Sequence, residues 1–526
     1  MKRRRVSTIA WILPVLTLCL CQGSAARHSA ALASVEDSAA PSPQIPAKFP
    51  DGVKQKIRSY VEAALKNWNV PGAAVGIVKD GQVVFLEGFG KRDIEMGLPV
   101  TPRTRFILGS TTKAFTALTL ALLAADRMLE WDKPVSGYIP EFRLWDEYAT
   151  LHATARDLAS HRAGLPRHDF VWVNTPMDLP EIVRSLRFLE PNRELRAAYQ
   201  YNNLMYMALG YLVERVSGKP WDDFVRERIF KPLAMNDSGC TIPEYLAADE
   251  RAIAYMREKE KFVASPLPPQ SAKLMYGARA SGSINTTAED MCRWMVLHLS
   301  AYIAGAKTAI PAAVVRQTHA PQVPIGTSPV LASEIQGTAY GLGWMSDVYR
   351  THRRIYHGGS TLEFNSNVAL FPQDGIGVVI LINASSPANE ILLMGISDLA
   401  LGLTPVDWEG RLREMLKNAG AGGALQDPRV QGTTPAHKLD DYAGDYLHPA
   451  YGPIHVELKD GRLSVMFHGF VSPLEHWHYE TFQATENEIK GQKWTFQTDV
   501  RGDVASVSAR LESAVKDIVF ERRGKT

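Results

Sequence analysis

Ser110 and Lys113 stand three residues apart at the head of an apolar run, Gly109-Ser110-Thr111-Thr112-Lys113-Ala114-Phe115-Thr116. On a helix this spacing stacks both side chains on one face, about one turn apart, so the amine can hold the hydroxyl and take its proton. A serine joined to a lysine is a recognised activated nucleophile. The tetrapeptide is short enough to recur by chance in 526 residues, where an ordinary helix start would account for it. Two further segments give it company. Tyr201 and Asn203 sit two residues apart in Tyr199-Gln200-Tyr201-Asn202-Asn203, ahead of the helix-compatible run from Leu204 to Val216. Tyr356-His357-Gly358-Gly359-Ser360-Thr361 precedes strand-like sequence, and its paired glycines would let a ligand backbone lie close against an edge strand.

In this order the motifs resemble those of the penicillin-recognising serine hydrolases, within them the class C β-lactamase-related branch. Val70 to Gly81 looks like that family's opening strand and Asp-Gly hairpin. Ala155-Arg156-Asp157-Leu158-Ala159-Ser160-His161-Arg162-Ala163-Gly164-Leu165-Pro166 resembles its Arg-Asp-Leu-Leu-Ser-His signature, and Tyr340-Gly341-Leu342-Gly343-Trp344 also fits. The likeness spans roughly residues 50 to 400.

The resemblance implies roles residue by residue. Ser110 is the nucleophile and Lys113 eases its deprotonation, a neighbouring cation and burial both lowering the pKa of the amine. Tyr201 is the general base, or a proton shuttle with Lys113. Tyr199 is a decoy, lacking an asparagine two residues on. Asn203 would hydrogen-bond Lys113 and the substrate amide, with capping of the next helix as its plainer role. His357, with Gly358 and Gly359, takes the place of the third-motif lysine and would be only partly charged at neutral pH. The backbone N–H groups of Ser110 and Ser360 make the oxyanion hole.

Departures from the family pattern bear on specificity. Glu363-Phe364 stands where Gly-Phe is common, and Ala280-Ser281-Gly282 replaces Ala-Gly-Gly, so the rim of the cleft differs. Histidine at 357 weakens the case for a true β-lactamase, because a permanent cation helps to bind the carboxylate of the drug. Arg167, His168 and Asp169 face either the cleft or solvent.

Stepwise outward from the site, the ends of the catalytic region are strand-like and its middle is helical. The fold class expected is α/β (α+β): a β-lactamase/transpeptidase-like antiparallel sheet flanked by helices, with an all-helical region against it. Ile376 to Ile382 is apolar at nearly every position, as a strand buried on both faces requires, and Phe371 to Gly375 makes the turn before it. After residue 437 the pattern becomes short strands. Ile454, Val456 and Leu458 alternate, Asp460-Gly461 turns, and Leu463, Val465 and Phe467 alternate again. This tail resembles a small lipocalin-like β-barrel, its aromatic residues read as barrel core rather than a ligand box.

The domains expected are a signal peptide over 1–26, a tether over 27–48, the catalytic domain over 49–403, a linker over 404–437 and the barrel over 438–526. Met1-Lys2-Arg3-Arg4-Arg5, the apolar stretch Val6 to Cys21 and the small residues Gly23 to Ala26 have the three-part build of a secretory signal. The apolar stretch is short for a membrane span. The expected location is therefore periplasmic or secreted, with no stable membrane insertion after cleavage. Beyond the leader only Cys240 and Cys292 remain; one disulfide is arithmetically allowed, but the helix-like run Ala288 to Leu299 favours a buried thiol at 292. A formal charge of +2 without basic clusters argues against nucleic acid as a partner. No Cys/His spacing calls for a metal and no phosphate loop for a cofactor.

The function expected is a secreted serine hydrolase that cleaves amide bonds of small peptides, with D-residues or from opened cyclic peptides, through an acyl-enzyme on Ser110. This follows the resemblance to D-aminopeptidase-like and linearised-cyclic-peptide hydrolases with a barrel tail. A carboxylesterase or β-lactamase of the same family is the alternative within enzymes. A non-catalytic binding or structural homologue is the alternative from another class. A homo-oligomer is compatible with all three.

Overall fold

The computed structural model describes residues 49–258, 261–265, 277–328, 331–421 and 429–524. The stretches read above as signal and tether lie outside the described residues.

The N-terminal helix α1 (Asp51–Asn67) leads into strands β1 (Gly72–Lys79), β2 (Gln82–Asp93) and β3 (Leu98–Pro99). The sheet is completed far downstream by β4 (Val323–Pro324), β5 (Ile335–Tyr340), β6 (Met345–Tyr349), β7 (His352–Thr361), β8 (Phe364–Phe371) and β9 (Ile376–Ile382). Its order is β3-β2-β1-β9-β8-β7-β6-β5-β4, antiparallel throughout, so both ends of the catalytic region meet at the β1–β9 pairing. All seven residues of β9 are buried, because helices cover both faces of the sheet. On one face α1, through Ile57 and Val61, and α5 (Ala388–Leu401) pack over Val75, Ile77 and Ile380 of the sheet. On the other, α4 (Ala288–Ser300) packs against β1 and β9, with the Sγ of Cys292 lodged against Gly76.

Between the two halves of the sheet the chain is helical. α2 (Thr112–Ala125) is the central helix, with twelve of its fourteen residues buried, and α3 (Asn203–Ser217) packs against it. The signature from Ala155 to Pro166 grips the segment that leads to α3. Thr154 and Asp157 form a reciprocal capping box, and the buried Asp157 carboxylate accepts hydrogen bonds from Arg162 Nε (2.7 Å), Arg196 Nε (3.0 Å) and Arg196 Nη2 (2.8 Å). Gln200 N donates to the His161 carbonyl (2.7 Å) and Asn202 N to His161 Nδ1 (3.1 Å), fixing the backbone on both sides of Tyr201.

Within the span read as a linker, Trp408–Ala421 is helical, and the Trp408 indole donates to Asp398 on α5 (2.8 Å). Gly, Ala, Pro and Thr accumulate only after that helix, which is why the whole span reads as a loop.

Strands β10 (Gly444–His448), β11 (Gly452–Lys459), β12 (Arg462–Phe467), β13 (Phe470–His478), β14 (Thr481–Ala484), β15 (Lys493–Thr498), β16 (Val504–Ala509) and β17 (Ile518–Arg522) form a closed eight-stranded barrel. Tyr446, Phe467, Phe482, Trp494, Phe496 and Phe520 fill its interior, so these aromatics are core. Cys240 and Cys292 are both buried free thiols.

Candidate active site

Ser110 lies in a single 3₁₀ turn, Gly109–Thr111, that runs directly into α2. Gly109 adopts φ +58°, and a Cβ there would stand 2.7 Å from the Ser360 nitrogen, so only glycine fits. Gly359 on β7 answers it from the other side: a Cβ would stand 1.9 Å from the Leu108 carbonyl and 2.9 Å from the Ser110 nitrogen. Ser366 Oγ on β8 donates to Leu108 O (2.6 Å) and bonds Thr111 Oγ1 (2.8 Å), stitching the turn to the sheet. The amide nitrogens of Ser110 and Ser360 are thereby brought side by side on two rigid elements, the arrangement an oxyanion requires.

Lys113 is wholly buried beneath Ser110. Its Nζ lies 3.0 Å from Ser110 Oγ, 2.8 Å from Asn203 Oδ1 and 2.9 Å from the Ser281 carbonyl. Burial pushes the amine well below its ordinary range; the Arg167 charge adds to this and the Asp169 carboxylate opposes it. A neutral amine has two N–H groups and one lone pair. Asn203 Oδ1 and Ser281 O can only accept, so they take both N–H groups and turn the lone pair toward the Ser110 hydroxyl.

The Tyr201 phenol lies close enough to Ser110 to be influenced by it, and Lys113 Nζ lies 4.9 Å from its ring centroid. Burial holds this phenol well above its ordinary range, with Ser110 and the Arg167 charge opposing, so Tyr201 is protonated at neutral pH. Of the two base candidates, Lys113 is the one with a hydrogen bond to Ser110 Oγ. Tyr199 packs against Tyr340 and His161 instead.

Asn202, not Asn203, caps α3: its Oδ1 accepts from Met205 N (3.1 Å). That frees Asn203, whose Nδ2 donates to Asp169 Oδ1 (3.0 Å) while its Oδ1 holds Lys113.

The partial charge expected on His357 is corrected. The ring is buried, shares a 2.9 Å hydrogen bond between Nε2 and the Tyr340 hydroxyl, and has its pKa brought down to about 3, first by burial and then by Lys113. It is a neutral prop of β7. Gly358 and Gly359 are buried beside it, and Ser360 is exposed to the cleft.

The alternatives resolve toward the site for Arg167 and Asp169 but not for His168. Arg167 Nε donates to Asp169 Oδ2 (2.6 Å), and its guanidinium lies 5.3 Å from the Tyr201 ring centroid. His168 turns the other way, to the barrel. Its Nε2 donates to the Glu190 carbonyl (3.1 Å), its Nδ1 accepts from the Tyr451 hydroxyl (2.7 Å), and its backbone N–H donates to Glu512 (2.9 Å). His468 of the barrel adds a bond from Nδ1 to the Val173 carbonyl (3.0 Å), and Phe170 packs on Phe467. The barrel thus buttresses the loop that carries two site residues. Ser281 was legible only as a rim departure, because a backbone acceptor leaves no mark in a sequence. Leu362 and Glu363 form the β7–β8 turn, both at positive φ, and burial raises the Glu363 carboxyl to about 6.

Residues 57–398 match the family described as Beta-lactamase, and residues 428–522 match a domain of unknown function, DUF3471. Unguisins hydrolase ungD' of Aspergillus campestris (strain IBT 28561) is 31% identical over 431 residues, covering 76% of this chain and 77% of the relative. Protein flp of Staphylococcus aureus (strain MW2) is 24% identical over 337 residues, covering 63% of this chain and 64% of the relative. Among solved structures, the octameric penicillin-binding protein homologue from Pyrococcus abyssi superposes with a TM-score of 0.58 at 22% identity, covering 89% of this chain and all of that one.

Proposed function

This chain belongs to the Beta-lactamase family of serine hydrolases, and on that premise we propose that it is an exported hydrolase of amide bonds in small linear peptides, with D-residues or from opened cyclic peptides. The carrying observation is the buried Lys113 amine, whose Nζ meets Ser110 Oγ while two fixed acceptors, Asn203 Oδ1 and the Ser281 carbonyl, hold it from the other side.

Ser110 Oγ attacks the carbonyl carbon as its proton passes to Lys113 Nζ. The resulting oxyanion accepts hydrogen bonds from the amide N–H groups of Ser110 and Ser360. The C–N bond breaks as the proton returns from Lys113 to the leaving nitrogen, with the Tyr201 hydroxyl as relay. Water then attacks the acyl-enzyme, gives up a proton along the same path, and releases the acid and Ser110. Two features support short peptides as substrates: a relative named as a hydrolase of unguisins, and a second domain that walls the loop beside Ser110. Against a β-lactamase stands His357, which is neutral and buried where a cation would bind the drug. Export rests on the build of residues 1–26; the mature N-terminus read by mass spectrometry tests it.

The full-length protein and its Ser110→Ala variant are incubated with L-peptides, D-residue peptides, linearised cyclic peptides, short acyl esters and a chromogenic cephalosporin, with products read by mass spectrometry. Ser110-dependent cleavage of a peptide class is the expected result. Turnover of esters or cephalosporin alone moves the chain to a sister activity, and undiminished cleavage by the alanine variant refutes the acyl-enzyme.

A further inference from the structure

We propose that Arg167 binds the substrate's carboxylate on the leaving-group side of Ser110, so that the scissile bond lies within one or two residues of a free C-terminus. The inference deepens the reading of Ser110 as acyl acceptor and rests on it.

The site needs a cation from somewhere other than the third motif, where His357 is neutral and turned to Tyr340. Lys113 is buried beneath Ser110, its amine already bonded to Asn203 and the Ser281 carbonyl and its pKa lowered by burial. Nearby Arg162 and Arg196 are engaged by Asp157. Arg167 remains: guanidinium stays protonated at any working pH, and the side chain is 48% exposed. Only its Nε is bonded, to Asp169 Oδ2. Neither terminal nitrogen meets a protein acceptor among the described residues, which leaves the fork that suits a carboxylate edge-on. Glu512, the nearby carboxylate across the barrel contact, is occupied by the backbone N–H groups of His168 and Ala514.

The side of the site follows from Tyr201. Its ring lies 4.9 Å from Lys113 Nζ, the group that meets Ser110 Oγ, and 5.3 Å from the Arg167 guanidinium. The departing nitrogen must take its proton from the Lys113–Tyr201 side, so the departing fragment extends toward Arg167. One extended residue spans about 3.5 Å, so a carboxylate one or two residues past the scissile bond reaches the guanidinium.

The test is direct binding to full-length Ser110→Ala protein by titration calorimetry, which needs no turnover. The ligands are N-acetyl-dialanine in L,L and D,D forms, each as free acid and as carboxamide. The expected result is acid over amide by about tenfold or more in at least one series. That ratio falls to near one in Ser110→Ala/Arg167→Gln and is partly restored by Arg167→Lys at the same position. A ratio near one without the arginine change, no binding of any of the four, or equal weakening of acid and amide by Arg167→Gln each overturns the assignment. The two readings separate cleanly: acid-selective binding without peptide cleavage removes the peptidase and keeps the carboxylate site, and cleavage without acid selectivity does the reverse.

Discussion

His168, one residue beyond the site arginine, accepts a 2.7 Å hydrogen bond from Tyr451 in the barrel. Both rings are buried, and the bond joins the C-terminal barrel to the loop that carries Arg167 and Asp169. Tyr451→Phe leaves His168 Nδ1 without a donor at a loss of about 1–3 kcal/mol. The expected outcome is a lower melting temperature together with a several-fold drop in turnover. An unchanged rate at lowered stability would show that the barrel contact does not position the site.

The pH dependence follows from who surrounds Lys113. Its amine is lowered by burial and by Arg167, and raised by Asp169. The rate should climb with pH as the amine loses its proton, and level off well below the usual 10.5 of lysine. Arg167→Gln removes a repelling charge, which raises the amine's pKa and moves the rising limb to higher pH. Asp169→Asn removes an attracting charge, keeps the bond from Asn203, and moves the limb to lower pH. The two limbs are expected to move in opposite directions, read from kcat/KM profiles of any substrate turned over. Shifts in one direction for both variants would remove Lys113 as the titrating base.

Asn203→Ala takes away one of the two acceptors that orient the Lys113 lone pair and unties Asp169. A fall in kcat of about 10- to 100-fold is expected with little change in KM, since orientation of the base is what is lost. A fall confined to KM would make Asn203 a substrate contact instead.

Gly359→Ala drives a methyl group into the Leu108 carbonyl and toward the Ser110 amide. The turn must move off β7, separating the two oxyanion donors. Loss of about 100-fold or more in rate is expected while the circular dichroism spectrum remains that of the folded chain. Near-normal activity would exclude the Ser110–Ser360 pair as the oxyanion hole.

Acid should destabilise the fold through its buried histidines. His319 and His357 are both brought down to about 3 by burial, from an ordinary 6.5. Between those values the unfolded chain binds protons that the folded chain refuses, so stability rises with pH across the window and is flat above it. Each histidine contributes about 1.4 kcal/mol per pH unit there. His319 also bonds His298 Nδ1 (2.8 Å) and the Tyr302 hydroxyl (2.9 Å). His319→Gln should lower stability at pH 7 and flatten the slope between pH 3 and 6.5, as followed by urea unfolding at a series of pH values. An unaltered slope would mean that His319 does not titrate in that window.

Much of the fold was legible because its signals are local. Ile376–Ile382 is continuously apolar and is buried on both faces. The hairpin through Asp460-Gly461 alternates with period two and forms as β11 and β12. The helix inside the supposed linker was not legible, because polar Arg, Glu and Lys with a single anchoring tryptophan look like solvent-exposed chain.

By itself the sequence determined which groups can do chemistry: a serine and a lysine one helical turn apart, and glycines where a side chain cannot fit. The serine–lysine spacing acts between residues close in the chain, so the sequence expresses it, whereas the demand for glycine at 109 and 359 comes from contacts between distant segments. Only the tertiary structure decided the charge and company of the reactive groups. The Lys113 amine is lowered and His357 is buried and neutral because of what packs around them, and Lys113 meets Ser281 O and Asn203 from segments 168 and 90 residues away. Likewise Arg167 lies beside Tyr201, on a loop whose neighbour His168 is fastened to a barrel 283 residues further along. Desolvation and hydrogen bonding across such distances are properties of packing, and no local pattern in the chain records them.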